Sequence, residues 1–510
     1  MAALSPATRA FEAGWAKAGV VAQGVTHADF AYPCCSSSVK GLACTTRLPV
    51  ASRQTLLQVP TGAALSVSES DSSARVNNVV PQELWRSLKL TTRLSLILLV
   101  EHEKKQASPY ASYIATLLEE GPRTPMHWGE ETLAALQSAY PPLHAAVTKQ
   151  RSDYQRLHEL LKAAGALPAL GADRFAVFLW ALEAVRSRAF EGLGGSVGMG
   201  GGAGEGEGGS DGSAGVAVGG AVPQAALSAS LLAAAFFFAS GHNQNLGGGE
   251  ALPVALATAA VLALLPSLLQ SQAASCALLP AIDSCNHCSA AAVAEVSLDP
   301  TRGAFVLTSR APGSASGSAS ASGSGSAQGR AAAALEPGAE ITISYGDRDN
   351  DALLQYFGFV ERGNKHDHCQ CLCAPSGADS TSAGAGAGAG AGAALLVKVT
   401  RGPRETWAVP AGLGAAGLRD GLLREEARLV AAAAAAAAAS ADKRARARTG
   451  VTGAASASGA ASGSGSGSGS GAESGAEAGA GTGTGAEEWC LLQALLEEKA
   501  AVLRAALARL

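Results

Sequence analysis

The chain of 510 residues has no excess of either charge: 38 Lys and Arg stand against 42 Asp and Glu, for a formal net charge of −4. That balance excludes a broad electrostatic footprint for nucleic acid. One basic run, Lys443-Arg-Ala-Arg-Ala-Arg448, is read as a solvated face beside a spacer. No disulfide framework is evident either. The ten cysteines include an adjacent pair (Cys34-Cys35) and an alternating triplet (Cys369, Cys371, Cys373), and no secretory signal opens the chain, which points to a reducing compartment. The first ten residues hold one Arg and no Ser/Arg-rich stretch, so no plastid presequence is evident and cytoplasm or nucleus is expected. Long hydrophobic runs are nearly absent. The exception, 251–270, is free of charge but interrupted by Pro253 and Pro266, and is read as buried or Ala-rich surface helix rather than a membrane span.

Much of the Gly, Ala and Ser lies in repetitive tracts at 192–224, 312–332, 384–392 and 453–485, which are too poor in apolar residues to pack. Core-forming residues concentrate in 10–190, 272–308, 338–375 and parts of 394–510. The expected organisation is one catalytic domain, 11–375, and one smaller helical domain, 394–510, with a Ser/Gly linker at about 450–485. The catalytic domain would carry a helical insert at about 85–190 and low-complexity insertions at about 192–272 and 312–332.

The fold class expected is α+β. Gly41 to Thr45, Thr55 to Pro60, Ala304 to Thr308 and Ile341 to Ser344 read as short strands, Pro60 ending the second. Helices are expected from Phe11 to Ala22, from Leu94 onward, from Ser108 onward, and at Leu143–Ala164, Asp173–Glu191, Leu418–Ala439 and Ala486–Leu510. Apolar spacing puts Phe175, Phe178, Leu179, Leu182 and Val185 on one face.

Two short stretches place polar residues next to apolar strand-like runs: Leu279-Pro-Ala-Ile-Asp-Ser-Cys-Asn-His287 and Glu340-Ile-Thr-Ile-Ser-Tyr-Gly346. Polar side chains at strand ends on a rigid scaffold are where chemistry is usually built. In order, the two resemble the signature motifs of the SET domain, Asp-x-x-Asn-His and Ile-Ser-Tyr-Gly. Asn350-Asp-Ala-Leu-Leu-Gln-Tyr-Phe-Gly-Phe359 is similar to the segment that follows them in that family. Lys40-Gly-Leu-Ala43, Leu56-Leu-Gln-Val-Pro60 and Trp180-Ala-Leu-Glu-Ala-Val-Arg-Ser-Arg-Ala-Phe190 resemble one subfamily, the Rubisco large-subunit methyltransferase group and its animal relatives.

The resemblance implies a SET-type β-fold of small curved sheets with a pseudoknot, a helical insert and a helical C-terminal domain. It implies a methyltransferase that uses S-adenosylmethionine to modify a protein substrate, most often at lysine. Tyr345 would be the catalytic tyrosine. Ser38, Lys40, Gly41, Leu42, Arg188, Asp283, Asn286 and His287 would hold the cofactor. Ser187, Phe190, Asp283 and Phe357 would line the channel for the target side chain. A monomer without nucleic-acid or membrane partners is expected, and the resemblance adds the chloroplast as a compartment. A catalytically silent SET-like binding module is the alternative.

Two departures bear on this. Phe357 stands where lysine-specific members carry a tyrosine, which leaves the target residue open, histidine included; Tyr356, next to it, would point elsewhere on a strand. The stretch between Arg188 and Asp283 is also much longer than in the family. The cysteines Cys288, Cys369, Cys371 and Cys373, with His366 and His368, offer zinc-ligand types, but thiols at alternate strand positions share one face and clamp a tetrahedral ion poorly. No metal is expected.

Overall fold

A computed structural model describes residues 4–31, 38–47, 53–120, 123–172, 174–192, 198–199, 275–310, 335–373, 395–401, 407–410, 413, 415–456 and 485–510. The low-complexity tracts between these, and the uncharged stretch 251–270, lie outside the described residues. Among the described residues no helix is long and apolar enough to cross a membrane.

The fold is α+β. Helix α1 (Pro6–Gly14) begins earlier than the apolar pattern alone suggests, because Ser5 caps it and Pro6 occupies its first turn. Strands β1 (Val21–Ala22), β2 (Val25–Ala31), β3 (Ser38–Cys44), β4 (Thr55–Pro60) and β5 (Leu65–Ser68) follow. The helical insert comes next: α2 (Gln82–Ser87), α3 (Leu90–Glu103), α4 (Ala111–Glu120), α5 (Glu130–Ala139), α6 (Pro141–Ala163) and α7 (Phe175–Arg188). Then come β6 (Phe190–Glu191), β7 (Gly198–Met199), β8 (Ser275–Leu278), β9 (Asn286–His287), β10 (Ala294–Asp299), β11 (Ala304–Ser309), β12 (Glu340–Ile343), α8 (Asn350–Phe357), β13 (His368–Cys373), β14 (Leu395–Thr400), α9 (Ala415–Ser456) and α10 (Gly485–Leu507).

The strands form small sheets ordered β1-β4-β11-β10, β2-β3-β12-β9, β5-β8-β6-β7 and β13-β14. The second sheet joins the two motifs. β12 pairs with β3 antiparallel and with β9 in parallel, setting Thr342 opposite Asn286 and Ile343 opposite His287.

Two apolar cores result. The first gathers Leu42, Leu56, Leu57, Trp85, Leu96, Leu98, Phe178, Phe190, Leu278 and Ile341 from the sheets and from α2, α3 and α7. The second holds Leu136, Tyr140, Val397, Trp407, Leu422, Leu429, Trp489 and Leu495, and includes Cys369, Cys371 and Cys373 of β13. All three thiols are buried on one face of that strand. Among the described residues no group of three or more His, Cys, Asp or Glu is arranged to hold a metal ion.

A buried ionic cluster fastens α10 to the rest. Lys499, fully buried, donates from Nζ to Asp367 at 2.7 Å and to the His368 carbonyl at 2.7 Å, and lies 2.9 Å from Asp351. Its ammonium also faces the Tyr140 ring at 5.3 Å. Burial opposes the Lys499 charge, but Asp351 and Asp367 outweigh it and hold the amine well above its ordinary value.

Candidate active site

The turn after β8 sets the site. Ala281 takes φ +76°, a region costly for a side chain with a Cβ, and the chain then folds into a single 3-10 turn over Ile282–Ser284. That reversal aims Asp283 and Asn286 into a cavity of about 430 Å³ between the second sheet, α7 and the end of α8. Arg188, Ser187, Lys40, Asp283, Asn286, Tyr345 and Phe357 all line it. The two motifs and the α7 motif are therefore brought together, although Arg188 and Asp283 are far apart in the chain.

Arg188 closes α7, and its Nη1 donates to the Asp283 carbonyl at 3.1 Å. The Asp283 side chain is 3% exposed. Its Oδ2 accepts the Tyr113 hydroxyl, while its Oδ1 is buried with no hydrogen-bond partner. Burial pushes this carboxyl up to about 6, against the pull of Arg188. Burial also lowers the Lys40 amine, and repulsion from Arg188 adds to the effect. Asn286 donates from Nδ2 to the Lys40 carbonyl at 3.3 Å and to Glu340 at 2.6 Å. Gly41 is required beside it: a Cβ there would lie 2.7 Å from that same Nδ2 and 2.9 Å from the Phe30 ring.

Tyr345 follows β12. Its hydroxyl donates to the Cys285 carbonyl at 2.7 Å, and burial pushes the phenol well above its usual value. Its amide donates to His287 Nδ1 at 2.9 Å, which places the ring proton on Nε2, 3.6 Å from Glu361. Burial alone would raise Glu361, but His287 and the Ser289 amide outweigh it and hold the carboxylate below its usual range. His287 thus stands behind Tyr345, ring centroids 5.0 Å apart, and does not line the cavity. Another chain, Glu12 to His27 to Ser284, fixes the next residue of the turn: Glu12 holds the His27 ring at 2.8 Å, and His27 Nε2 meets the Ser284 hydroxyl at 3.1 Å.

Some expected positions fall elsewhere. Phe190 is 1% exposed in the first core and does not line the cavity, because α7 ends at Arg188 and the chain leaves in extended form to pair Phe190 with Ala277. The Leu42 side chain is likewise buried, and Gly41 presents no atom to the cavity wall. Ser38 pairs with Ala31 at the start of β3, and its side chain lies outside the described residues. Tyr356 is on a helix rather than a strand. Asp349 caps α8 by accepting the Ala352 amide at 2.8 Å, and Gly358 ends it at φ +76°. On that helix Phe357 packs against Tyr345 at 5.0 Å, while Tyr356 turns away under the Arg186 guanidinium at 4.0 Å.

Glu183, Trp180, Thr124, Glu119 and Asp29 also line the cavity and were not anticipated. Glu183 had a signal: it is a charged residue one turn before Ser187, set between the apolar Leu182 and Ala184.

No family model matches the chain, and no curated protein matches it. Solved structures do. A structure of Rubisco LSMT bound to AdoMet is 14% identical over 98% of this chain and 90% of its own, with a TM-score of 0.45. The SET domain of LSMT bound to MeLysine and AdoHcy is 15% identical over 98% of this chain and 90% of its own, at the same TM-score of 0.45.

Proposed function

We propose that the chain is an S-adenosylmethionine-dependent methyltransferase that acts on a protein side chain, lysine foremost. The observation that carries this reading is the convergence of three separated motifs, ending in Arg188, Asp283–Asn286 and Tyr345, on one cavity. The residues fit the cofactor. It carries a carboxylate, an ammonium, a sulfonium and an apolar-faced base. Arg188 offers a planar fork for the carboxylate. The unpartnered Asp283 Oδ1 offers an acceptor to its cationic groups. The cavity lies within the size range of ligand sites.

When bound, the cofactor supplies an activated methyl group, so no covalent nucleophile is required of the protein. The protein's work is to align the target nitrogen and to hold it neutral. Free lysine has a pKa of about 10.4. An aromatic wall of the buried Tyr345 and the half-buried Phe357 and Phe359 disfavours the ammonium by desolvation. The Tyr345 hydroxyl, its hydrogen committed to Cys285, keeps lone pairs that can accept from the amine and orient it. Phe357 contributes packing and no hydrogen bond.

The test is transfer of labelled methyl groups from S-adenosylmethionine to proteins of a cell extract. Incorporation supports the reading, while cofactor binding without transfer favours a silent binding module. A pH series adds a second expectation. Asp283 is protonated below about 6 in the free protein and anionic above it. A cationic ligand binds the anion better, so affinity for S-adenosylmethionine should rise with pH by up to about tenfold between pH 5 and 7 and then level off. S-adenosylhomocysteine, which lacks the sulfonium charge, should rise less, and Asp283→Asn should flatten both curves. A flat curve for the unaltered chain would remove Asp283 from cofactor binding.

A further inference from the structure

Helix α7 has a second cavity on its other side. It measures about 360 Å³ and lies between α3, α6, α7 and α8. The two cavities share no lining residue. α7 gives Leu182 and Arg186 to this one and Ser187 and Arg188 to the first, and α8 gives Tyr356 to this one and Phe357 to the first.

The wall carries donors that lack acceptors. Arg186 lays its guanidinium over the Tyr356 ring at 4.0 Å and donates from Nη1 to the Tyr154 hydroxyl at 3.3 Å. Its Nε is buried with no hydrogen-bond partner among the described residues. Tyr154 is 8% exposed, and its hydroxyl also accepts from Gln150 Nε2 at 3.3 Å. Both lone pairs are then used, and the hydroxyl hydrogen is left to donate. Burial pushes the phenol above its usual value, which keeps that hydrogen in place. The neighbouring Gln150 Oε1 is already engaged by Gln355 at 2.8 Å. Buried donors are rarely left unpaired, so two on one cavity wall call for an acceptor brought by a ligand.

The charge of the wall says which acceptor. Lys89, Lys149 and Arg186 stand against one carboxylate, Asp153, so three cations less one anion leave a net +2. Asp153 is itself held by Lys149 at 3.2 Å and by Arg156. Thr91 and Thr92 add the first turn of α3, where Lys89 makes no side-chain cap and the amides have no partner within the helix. An uncapped helix start beside a guanidinium suits phosphate. A phosphate monoester carries close to two negative charges at neutral pH and presents three acceptor oxygens. The wall offers three kinds of donor to meet them: Arg186 Nε, the Tyr154 hydroxyl and the α3 amides. The volume falls within the range of small-molecule sites and leaves room for an organic body against Leu157 and Leu182.

We infer that this cavity binds a small phosphate monoester, held by Arg186, Tyr154 and the start of α3 and drawn in by Lys89 and Lys149. The inference is independent of the methyltransferase reading, because the two cavities have no residue in common.

The experiment is calorimetric titration of the full chain, at low ionic strength, with glycerol 3-phosphate, inorganic phosphate and glycerol. The ester should saturate one site per chain, inorganic phosphate should bind more weakly, and glycerol should not bind. Arg186→Gln should weaken the ester at least about tenfold. Arg186 is packed within the fold, so two sets of changes nearer the surface complete the test. Lys89→Ala with Lys149→Ala, both at exposed positions, should weaken the ester by about threefold. Asp153→Asn should tighten it by about threefold, a gain that no loss of structure can imitate. No binding of the ester, binding of glycerol as tight as the ester, or saturation by inorganic phosphate alone would overturn the inference. So would an unchanged ester affinity in Asp153→Asn, or in an Arg186→Gln chain that keeps its unfolding midpoint.

Discussion

Tyr345→Phe should bind S-adenosylmethionine as the unaltered chain does and transfer methyl groups on the order of a hundredfold more slowly. The substitution keeps the ring, so its packing against His287 and Phe357, at 5.0 Å each, is preserved. It also keeps the amide bond to His287 Nδ1. Only the hydroxyl goes, and with it the oxygen whose hydrogen is committed to Cys285, on a residue that lines the cavity. An effect on turnover without one on cofactor affinity is the signature of a group that orients the reacting nitrogen. Single-turnover transfer of a labelled methyl group measures it. A rate within about threefold of the unaltered chain would take the catalytic role from Tyr345.

Lys499→Met should destabilise the fold by about 3–5 kcal/mol. The replacement nearly conserves volume, so the loss is electrostatic. Asp367 is fully buried and would keep a charge without its 2.7 Å partner, and Asp351 would lose its 2.9 Å contact. Adding Asp367→Asn should recover part of the loss, since it removes the stranded charge. Urea unfolding followed by tryptophan fluorescence gives both values. A loss under about 1 kcal/mol for the single substitution would mean that water reaches the cluster and screens it.

What could be read in the sequence follows the range of the cause. β12 is legible because the alternation of Ile341 and Ile343 is local, β4 because Pro60 ends it, and α7 because five apolar residues, Phe175 to Val185, recur at helical spacing. The joining of Asn286–His287 to Thr342–Ile343 is legible only through the order of two motifs, since parallel pairing leaves no mark in either strand alone. The start of α1 at Pro6 was written in Ser5 and Pro6, a capping signal weaker to the eye than apolar spacing. The helix at Asn350–Phe357 is too short for periodicity to establish, and its evidence is the cap at Asp349 and the turn at Gly358. The resemblance of Trp180–Phe190 to the family motif puts Phe190 on the channel, but the change from helical to extended backbone at Ala189 sends its side chain into the core. The Lys499 cluster had no local signal at all: its partners are brought together by packing of α10 against β13 and α8.

The central claim is that Arg188, Asp283 and Asn286 shape one cavity for S-adenosylmethionine, and calorimetric titration of the intact chain with that cofactor tests it most directly. The account predicts saturable binding near one per chain, weakened roughly a hundredfold by Arg188→Ala through loss of the guanidinium fork. No binding by the intact chain, or binding that Arg188→Ala leaves untouched, would contradict it.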